Sequence, residues 1–331
     1  AGTYFDYLGR CQHLLQQGKY VADVCYFLGE DAPIMTGVRQ PELPKGYSYD
    51  YINAEVIMNR VSVKDGRFVL PDGMSYKVMV LPPFTTMRPE LLEKIEGLVR
   101  QGGTILGPKP QKSPSLQNYP ACDVKVEALA AKLWNGTYNQ GKMAVKYGKG
   151  KVIDGYELPE VFADLNLAKD VEVPEDTPVL WIHRTMPNMD IYFITNQSDK
   201  TIELSPVFRV NKKMKPQLWD AVSGEMRALP DYEITETGIK APLKMKPAQS
   251  WFVVFTNTDA NGDVKAAYTT KFPEYKKHNA IEGPFEVDFV NKDIAPKKPV
   301  VFNKLIDWRN SDDEQIQYYS GTAIYKTNFN N

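Results

Sequence analysis

The sequence predicts a mixed chain, an α/β part followed by all-β parts. Three observations carry this. Amphipathic helical stretches alternate with short apolar runs over roughly the first 170 residues, the pattern that a doubly wound parallel sheet with crossover helices requires. Near Pro174 the helical periods stop, and short strand patterns rich in aromatic and β-branched residues take over. After a polar linker around Asp259 to Asp263 comes a third block of strand-like runs. The expected divisions are 1–170 for the α/β domain, 171–258 for a small antiparallel β-sandwich, and 259–331 for the start of a second sandwich.

The first helix is carried by Tyr4, Leu8, Cys11, Leu14 and Leu15 on one face, with Gly18 as its stop. VADVCYFLG, residues 21–29, is short and apolar, as a buried parallel strand is. YDYINAEVIMNRV, residues 49–61, is expected as a second helix. SVKDGRFVLPDGMSY holds two DG turn signals and reads as a small hairpin. KVMVLPP is the next strand, ended by Pro82 and Pro83. In PELLEKIEGLVRQGG, Leu91, Leu92, Ile95, Leu98 and Val99 share a helical face; Pro89 fits the first turn and Gly102–Gly103 the end. TILG follows as a strand, CDVKVEALAAKLW as a helix and MAVKYGKGKVIDG as strand. PVLWIHRTMPNMDIYFITNQS, TIELSPVFRV, PQLWDAVSGEMRALP and QSWFVVFTN supply the strands of the second block, and GPFEVDF, KLIDW and SGTAIYKTNF those of the third. A sheet built on the third block alone is expected to be incomplete. The chain begins at once on a helix pattern, without Met, and ends on an open strand pattern. Both are the expected marks of a segment of a longer protein.

Composition narrows the function. The 331 residues carry a formal net charge of −1, so no global field attracts nucleic acid or an anionic membrane, and neither is expected as a partner. Lys212, Lys213 and Lys215 are the densest basic cluster and read as a solvated turn. No apolar run reaches membrane-spanning length, and no signal peptide is recognisable. The three cysteines, Cys11, Cys25 and Cys122, form no CxxC pair; Cys11 and Cys25 read as core residues. No cysteine stands on a strand-to-helix elbow, and GxSxG, GxGxxG and P-loop patterns are missing. The loop after the first strand, GEDAP, carries two carboxylates that would repel a flavin phosphate. No cofactor is therefore expected. His13, His183 and His278 lie far apart without partners at metal-ligand spacing, so no metal site is expected; His183 reads as structural and His278 as a surface turn residue.

Carboxylates remain as candidates. Glu30 and Asp31 follow the first strand, at the carboxyl end of a parallel sheet where ligands collect. Either suits a calcium ion or a sugar hydroxyl, and a capped, solvated loop is the competing reading. Asp307 and Trp308 in LIDW suit a sugar face, against Trp308 as a core plug. Asp312, Asp313 and Glu314 read as a solvated acidic run.

Several stretches resemble one family, the α-L-rhamnosidases of glycoside hydrolase family 106. They are YLGRCQHLLQQGKYVADVCYFLGEDAP, YDYINAEVIMNRVSVKDGRFVLPDGMSYKVMVLPP and the GPKPQKSPSLQNYPACD region, with QLWDAVSGEMRALP and DWRNSDDEQIQYYSGTAIY further along. The resemblance covers nearly the whole chain, and its first segments are the most specific. It implies a large, periplasmic or secreted bacterial enzyme that removes rhamnose from plant polysaccharides and glycans. Such enzymes look inverting and calcium-dependent, with two glutamates in an N-terminal (β/α)8 barrel. After the barrel comes a glutamine-amidotransferase-like α/β domain and then β-sandwiches, some galactose-binding-like. On this resemblance the chain starts just past the barrel, and no catalytic residue carries over to it. Gly29, Glu30 and Asp31 match the family's pattern and would face the barrel's active site from the side. The expected function is a non-catalytic accessory segment that braces the barrel of the same polypeptide and contacts carbohydrate. The alternatives are a stand-alone carbohydrate-binding module and an amidotransferase-like hydrolase.

Overall fold

The run Val24-Cys25-Tyr26-Phe27 decides the first half of the architecture, because all four of its side chains are buried. Only a strand with neighbours on both edges and helices on both faces hides four successive residues. In the computed structural model, which describes residues 2–30, 39–257, 272 and 280–329, this is what the chain builds. Helix α1 (Gly2–Leu15) and strand β1 (Lys19–Tyr20) precede the run, which forms β2 (Val24–Phe27). There follow β3 (Tyr49–Ile52), α2 (Ala54–Arg60), β4 (Val78–Val80), α3 (Pro89–Gln101), β5 (Thr104–Leu106), α4 (Ala121–Leu133), β6 (Met143–Tyr147), β7 (Gly150–Asp154) and α5 (Leu158–Asp164). The sheet order is β3-β2-β4-β5-β7-β6. All neighbours are parallel except the β6–β7 hairpin.

Alternation divides the side chains of β2. Cys25 and Phe27 join Met79, Ile105 and Val152 under α2, α3 and α4. Val24 and Tyr26 join Val78, Val80, Leu106 and Ile153 under α5. Helix α3 buries the predicted face, Leu91, Leu92, Ile95, Leu98 and Val99, with Pro89 in its first turn and Gly102 as C-cap at φ 129°. Between α2 and β4 the DG-containing segment folds as three short antiparallel strands, Ser62–Lys64, Arg67–Val69 and Ser75–Tyr76. Asp65 and Gly66 both take positive φ in its first turn, as a two-residue hairpin loop requires.

Three local expectations are corrected. Residues 49–61 are not one helix. Tyr49–Ile52 pairs with β2, and the helix starts at Ala54 because the Asn53 side chain caps it by accepting from Val56 N at 2.9 Å. The stretch MAVKYGKGKVIDG is two strands folded about Gly148, at φ 58°. Helix α1 does not lie on the parallel sheet, and Tyr4 is 61% exposed rather than part of the buried face.

The antiparallel part explains α1. It comprises β8 (Val179–Met186), β9 (Met189–Asn196), β10 (Lys215–Trp219), β11 (Met226–Ala228) and β12 (Ser250–Thr256), and β1 adds to its edge in the order β1-β8-β9-β12-β10-β11. One face buries Ile191, Phe252 and Val254 against Cys11, Tyr7, Leu14 and Leu15 of α1. The opposite face buries Tyr192, Ile194, Val253 and Phe255 against Val171, Phe208, Ile239, Leu243 and Met245. Those residues belong to two small antiparallel sheets. TIELSPVFRV splits at Pro206 between them: Ile202–Leu204 pairs with Leu243–Met245, and Val207–Phe208 with Ile239–Lys240. The chain is thus a mixed α/β structure with several sheets. His278 and the linker expected at Asp259 to Asp263 lie outside the described residues.

By its contacts the chain forms two compact units, Ala1–Phe272 and Pro273–Asn331. The second holds a three-stranded antiparallel sheet of β13 (Phe285–Phe289), β14 (Val300–Phe302) and β15 (Ala323–Lys326), with β13 in the centre. Phe285, Val287 and Phe289 pack with Phe302, Ile316 and Tyr319. KLIDW is not a strand: Asp307 caps a 3-10 turn, Trp308–Asn310, by accepting from Arg309 N. Among the described residues no helix is long and apolar enough to cross a membrane.

Close approach of backbones fixes how α3 seats on the sheet. A Cβ added at Gly150 would stand 2.1 Å from Val99 O and 2.3 Å from Gly103 O, both main-chain atoms that cannot swing away. Gly150→Ala is therefore expected to destabilise the protein by about 1–3 kcal/mol through overpacking. Urea unfolding should show a lower midpoint at unchanged slope.

Candidate functional site

The order of the parallel strands, second-first-third-fourth-fifth, places a topological switch point between β2 and β4. Chain leaving β2 goes to one side and chain leaving β4 to the other, so a crevice opens at their carboxyl ends. It has a volume of about 430 Å³ and is lined by Gly29, Glu30, Asn53, Arg88, Pro114 and Ser115, among others. Glu30 stands there as expected. Its carboxylate does not face the crevice freely. Oε2 accepts from Arg88 N at 2.8 Å and Oε1 pairs with Arg88 Nε. Arg88 is the N-cap of α3 and has no side-chain cap bond of its own. From the loop after β2, Glu30 accepts the N-cap residue's own N–H and puts negative charge at the positive end of the helix. Its side chain is only 8% exposed. Asp31 lies outside the described residues.

No lining residue of this crevice, or of the hollow beside it around Ser113 and Cys122, is a histidine. Cys122 is buried, with Sγ 3.7 Å from Ser115 O and from Asp123 Oδ1. Cys25 lies within β2, fully buried, and burial pushes its thiol well above the ordinary range. Cys11, on the buried face of α1, is raised by burial as well. A nucleophilic cysteine needs the opposite setting, an accessible thiolate beside a base.

Asp307 and Trp308 belong to the second unit. Asp307 pairs with Arg309 at 2.6–3.1 Å, and this hydrogen bonding holds its carboxyl below the ordinary range. The Trp308 ring meets Phe289 and Tyr319 edge-on at 5.4 and 5.8 Å, and its indole N–H donates to Tyr325 Oη at 2.6 Å. Trp308 is a lid on the local core. Among the described residues no group of three or more His, Cys, Asp or Glu side chains is arranged to hold a metal ion.

The most elaborate polar cluster is buried between the layers of the first unit. His183, on β8, places Nδ1 3.0 Å from both oxygens of Asp170 and Nε2 3.0 Å from Asp190 Oδ1. Both ring nitrogens face carboxylate acceptors, an arrangement that the doubly protonated, cationic ring satisfies. Tyr192 stacks on the imidazole at 3.9 Å and donates to Asp170 Oδ1 at 3.0 Å. Arg209 approaches Asp170 Oδ1 at 3.6 Å, and its single nitrogen Nη2 donates to both oxygens of Asp23 at 2.9 and 3.0 Å. Asp23 immediately precedes β2. Three carboxylates, Asp23, Asp170 and Asp190, thus meet His183, Arg209 and Arg67, whose charge acts on Asp23. The cluster is neutral only when His183 is protonated.

Burial alone would lower the His183 pKa, but Asp170 and Asp190 outweigh it and hold the ring above its ordinary value. Burial raises Asp23, and Arg209 offsets only part of that rise. Sequence reading placed His183 in a strand as a structural residue and did not find its partners Asp170 and Asp190, 13 and 7 positions away, or the link through Arg209 to Asp23, 186 positions from that arginine.

Likeness to known proteins sets the class: this is a chain of glycoside hydrolase type. It belongs to the family described as alpha-L-rhamnosidase, glycoside hydrolase family 106, whose pattern matches residues 1–234. Its structure is similar to the rhamnosidase from Novosphingobium sp. PP1Y, with a TM-score of 0.82 at 27% identity over 98% of this chain and 30% of that one. It is 36% identical over 257 residues to a Formosa agariphila protein named "Putative beta-glucuronidase", a span of 77% of this chain and 21% of that protein. The chain therefore covers less than a third of the length of either relative.

A raised folded pKa on His183 has a definite sign. Its stabilisation is fully present below the unfolded value of about 6.5 and is lost as pH rises through the folded pKa. Asp23, also raised, contributes a loss of the same sign that begins above about pH 4. Stability measured by urea unfolding is expected to fall on the alkaline side of neutrality. His183→Ala removes the part of that loss that begins above about pH 6.5 and costs about 3–5 kcal/mol at pH 6, since it leaves two carboxylates buried without their cation. A loss above that pH of undiminished size in His183→Ala would contradict the assignment.

Proposed function

We propose that this chain is a non-catalytic segment of a larger rhamnosidase-like glycoside hydrolase, bracing a catalytic barrel that precedes it in the same polypeptide. In this reading the parallel sheet is an amidotransferase-like domain without the nucleophile, the antiparallel layers form a sandwich, and the last sheet opens a galactose-binding-like sandwich. The full protein would act on rhamnose-containing glycan in the periplasm or outside the cell. Any calcium it uses would sit in the barrel.

The observation that carries the reading is the fate of the strand-end crevice. In α/β enzymes this is the place for a reactive group. Here Glu30 is spent on Arg88 at the start of α3, and the nearest thiol, Cys122, has no histidine beside it. An inverting glycosidase needs two carboxyl groups roughly 6.5–9.5 Å apart across one sugar. Of the candidate carboxylates, Glu30 is engaged with Arg88 and Asp307 with Arg309 in a different unit. Family membership supplies the remaining support, since the chain spans only part of its relatives.

The expected outcome is that the purified 331-residue chain does not hydrolyse 4-nitrophenyl α-L-rhamnopyranoside, while a polypeptide that also contains the preceding barrel does. Turnover by the short chain that survives repurification and disappears on a point substitution within it would overturn the proposal. Glutamine hydrolysis lost on Cys122→Ser would favour the amidotransferase-like alternative instead.

A further inference from the structure

We infer that a groove on the first unit, separate from the strand-end crevice, is a subsite for a neutral deoxy-sugar residue of a glycan. The inference rests on the family reading above. The groove has a volume of about 770 Å³, within the range of ~300–1,000 Å³ that small-molecule sites occupy. Its walls come from three places: the segment leading into β3, the start of α5 and the first half of β8.

Four half-buried rings, Tyr20, Tyr47, Tyr49 and Trp181, supply the apolar lining. Three are fixed in place before any ligand arrives. Tyr20 Oη donates to Tyr49 O at 3.1 Å, and Tyr47 Oη donates to Leu167 O at 2.8 Å. The Arg39 guanidinium lies 4.8 Å from the centre of the Tyr49 ring. Rings held this way lose little freedom on binding. Trp181 stands where β8 has run past its partner. β1 ends with Tyr20 opposite Arg184, and Val21 N still reaches His183 O, but nothing of β1 continues alongside residues 179–182. Groups two residues apart on a strand point the same way. The main-chain N–H and C=O of Trp181 therefore open on the groove, as those of His183 open on Val21.

The polar lining selects within the sugars. Glu42, Glu157 and Glu175 bring three carboxylates against Arg39 and Lys45, a formal balance of −1. The Lys45 ammonium is already committed, donating to the carbonyl oxygens of Glu175 and Thr177. Carboxylates and Arg39 can bond neutral hydroxyls, but the balance opposes an added carboxylate. The rings suit a C–H face and a methyl group in place of a hydroxymethyl. A 6-deoxyhexose such as L-rhamnose meets both demands, and a uronate fails on charge and on the methyl group. An extended peptide is the competing occupant of an open sheet edge. Four residues of edge give it too short a ladder.

The test is titration of the intact 331-residue chain with methyl α-L-rhamnopyranoside and, separately, with sodium D-glucuronate, followed by calorimetry and by the Trp181 indole N–H signal. Saturable binding of the neutral glycoside is expected with Kd on the order of 1 mM, and binding of glucuronate at least about tenfold weaker. Trp181→Ala should weaken the glycoside about tenfold or more. Because Trp181 also packs against the core, Glu42→Gln and Arg39→Ala serve beside it, each expected to weaken binding several-fold while unfolding as the parent does. No saturable binding, equal binding by all three variants, or preference for glucuronate would overturn the inference. Binding of neither sugar with no turnover of the aryl glycoside would remove this subsite and leave the accessory reading intact. Turnover by the short chain would remove the accessory reading whatever the groove binds.

Discussion

The structure of the first unit depends on one buried charge cluster, Asp23–Arg209–Asp170–His183–Asp190. Each member comes from a different segment. Asp23 leads into the central parallel strand, Asp170 joins the two kinds of sheet, His183 and Asp190 lie on adjacent antiparallel strands, and Arg209 follows the short strand Val207–Phe208. Burying ions is costly unless every one is paired and hydrogen-bonded. Here the pairing is complete: Arg209 also donates to Ala168 O at 2.6 Å, and Tyr192 covers the imidazole and bonds Asp170. Apolar contacts tolerate small slides between layers, but a guanidinium bonded at once to Asp23 and Ala168 O and a doubly bonded imidazole do not. The cluster therefore fixes the parallel sheet and the antiparallel layers in one register, and the contacts of residues 1–272 form a single unit.

That rigidity is consistent with a bracing role. A part that holds a catalytic domain in place gains from a fixed relation between its own layers, and two further features fit. The N-terminal helix is seated on the far face of the antiparallel sheet through Cys11, Tyr7 and Leu14. In the strand-end crevice, the place where related architectures keep reactive groups, Glu30 is instead paired with Arg88. The aromatic groove lies at the junction that the cluster fixes. Tyr20 lies on β1, Trp181 on β8, and Tyr47 and Tyr49 lead into or lie on β3, so the groove exists only when both kinds of sheet are in register.

Much of the fold was legible because the signals are local. The apolar runs at residues 24–27 and 78–80, the α3 face from Leu91 to Val99 and the DG turns each specify their element within a dozen residues. Helix α1 was legible as a helix but not as to where it packs, since its apolar face suits either sheet. The stretch YSYDYI has Tyr47, Tyr49 and Tyr51 at period two, a strand signal overridden in reading by the helical pattern that begins at Ala54. It was also the one sequence sign of the groove. Glu30 was visible by its place after a strand. Its actual work was not, because Arg88 is 58 residues away. The charge cluster was invisible for the same reason: lone Asp and Arg residues at loop positions are indistinguishable from solvated ones until the fold brings them together. Trp308 went to the blander of its two readings, since a tryptophan beside Phe289 and Tyr319 stabilises its core more readily than it serves a ligand.

The measurement that tests this account most directly is a double-mutant cycle on Asp23 and Arg209, read by equilibrium urea unfolding of the single and double alanine variants. If the cluster clamps the layers, the two substitutions are strongly non-additive, with a coupling of at least about 1 kcal/mol, and the single transition of the parent broadens or splits when either is lost. Additivity within about 0.3 kcal/mol, with one sharp transition in every variant, would mean that apolar packing alone holds the layers together.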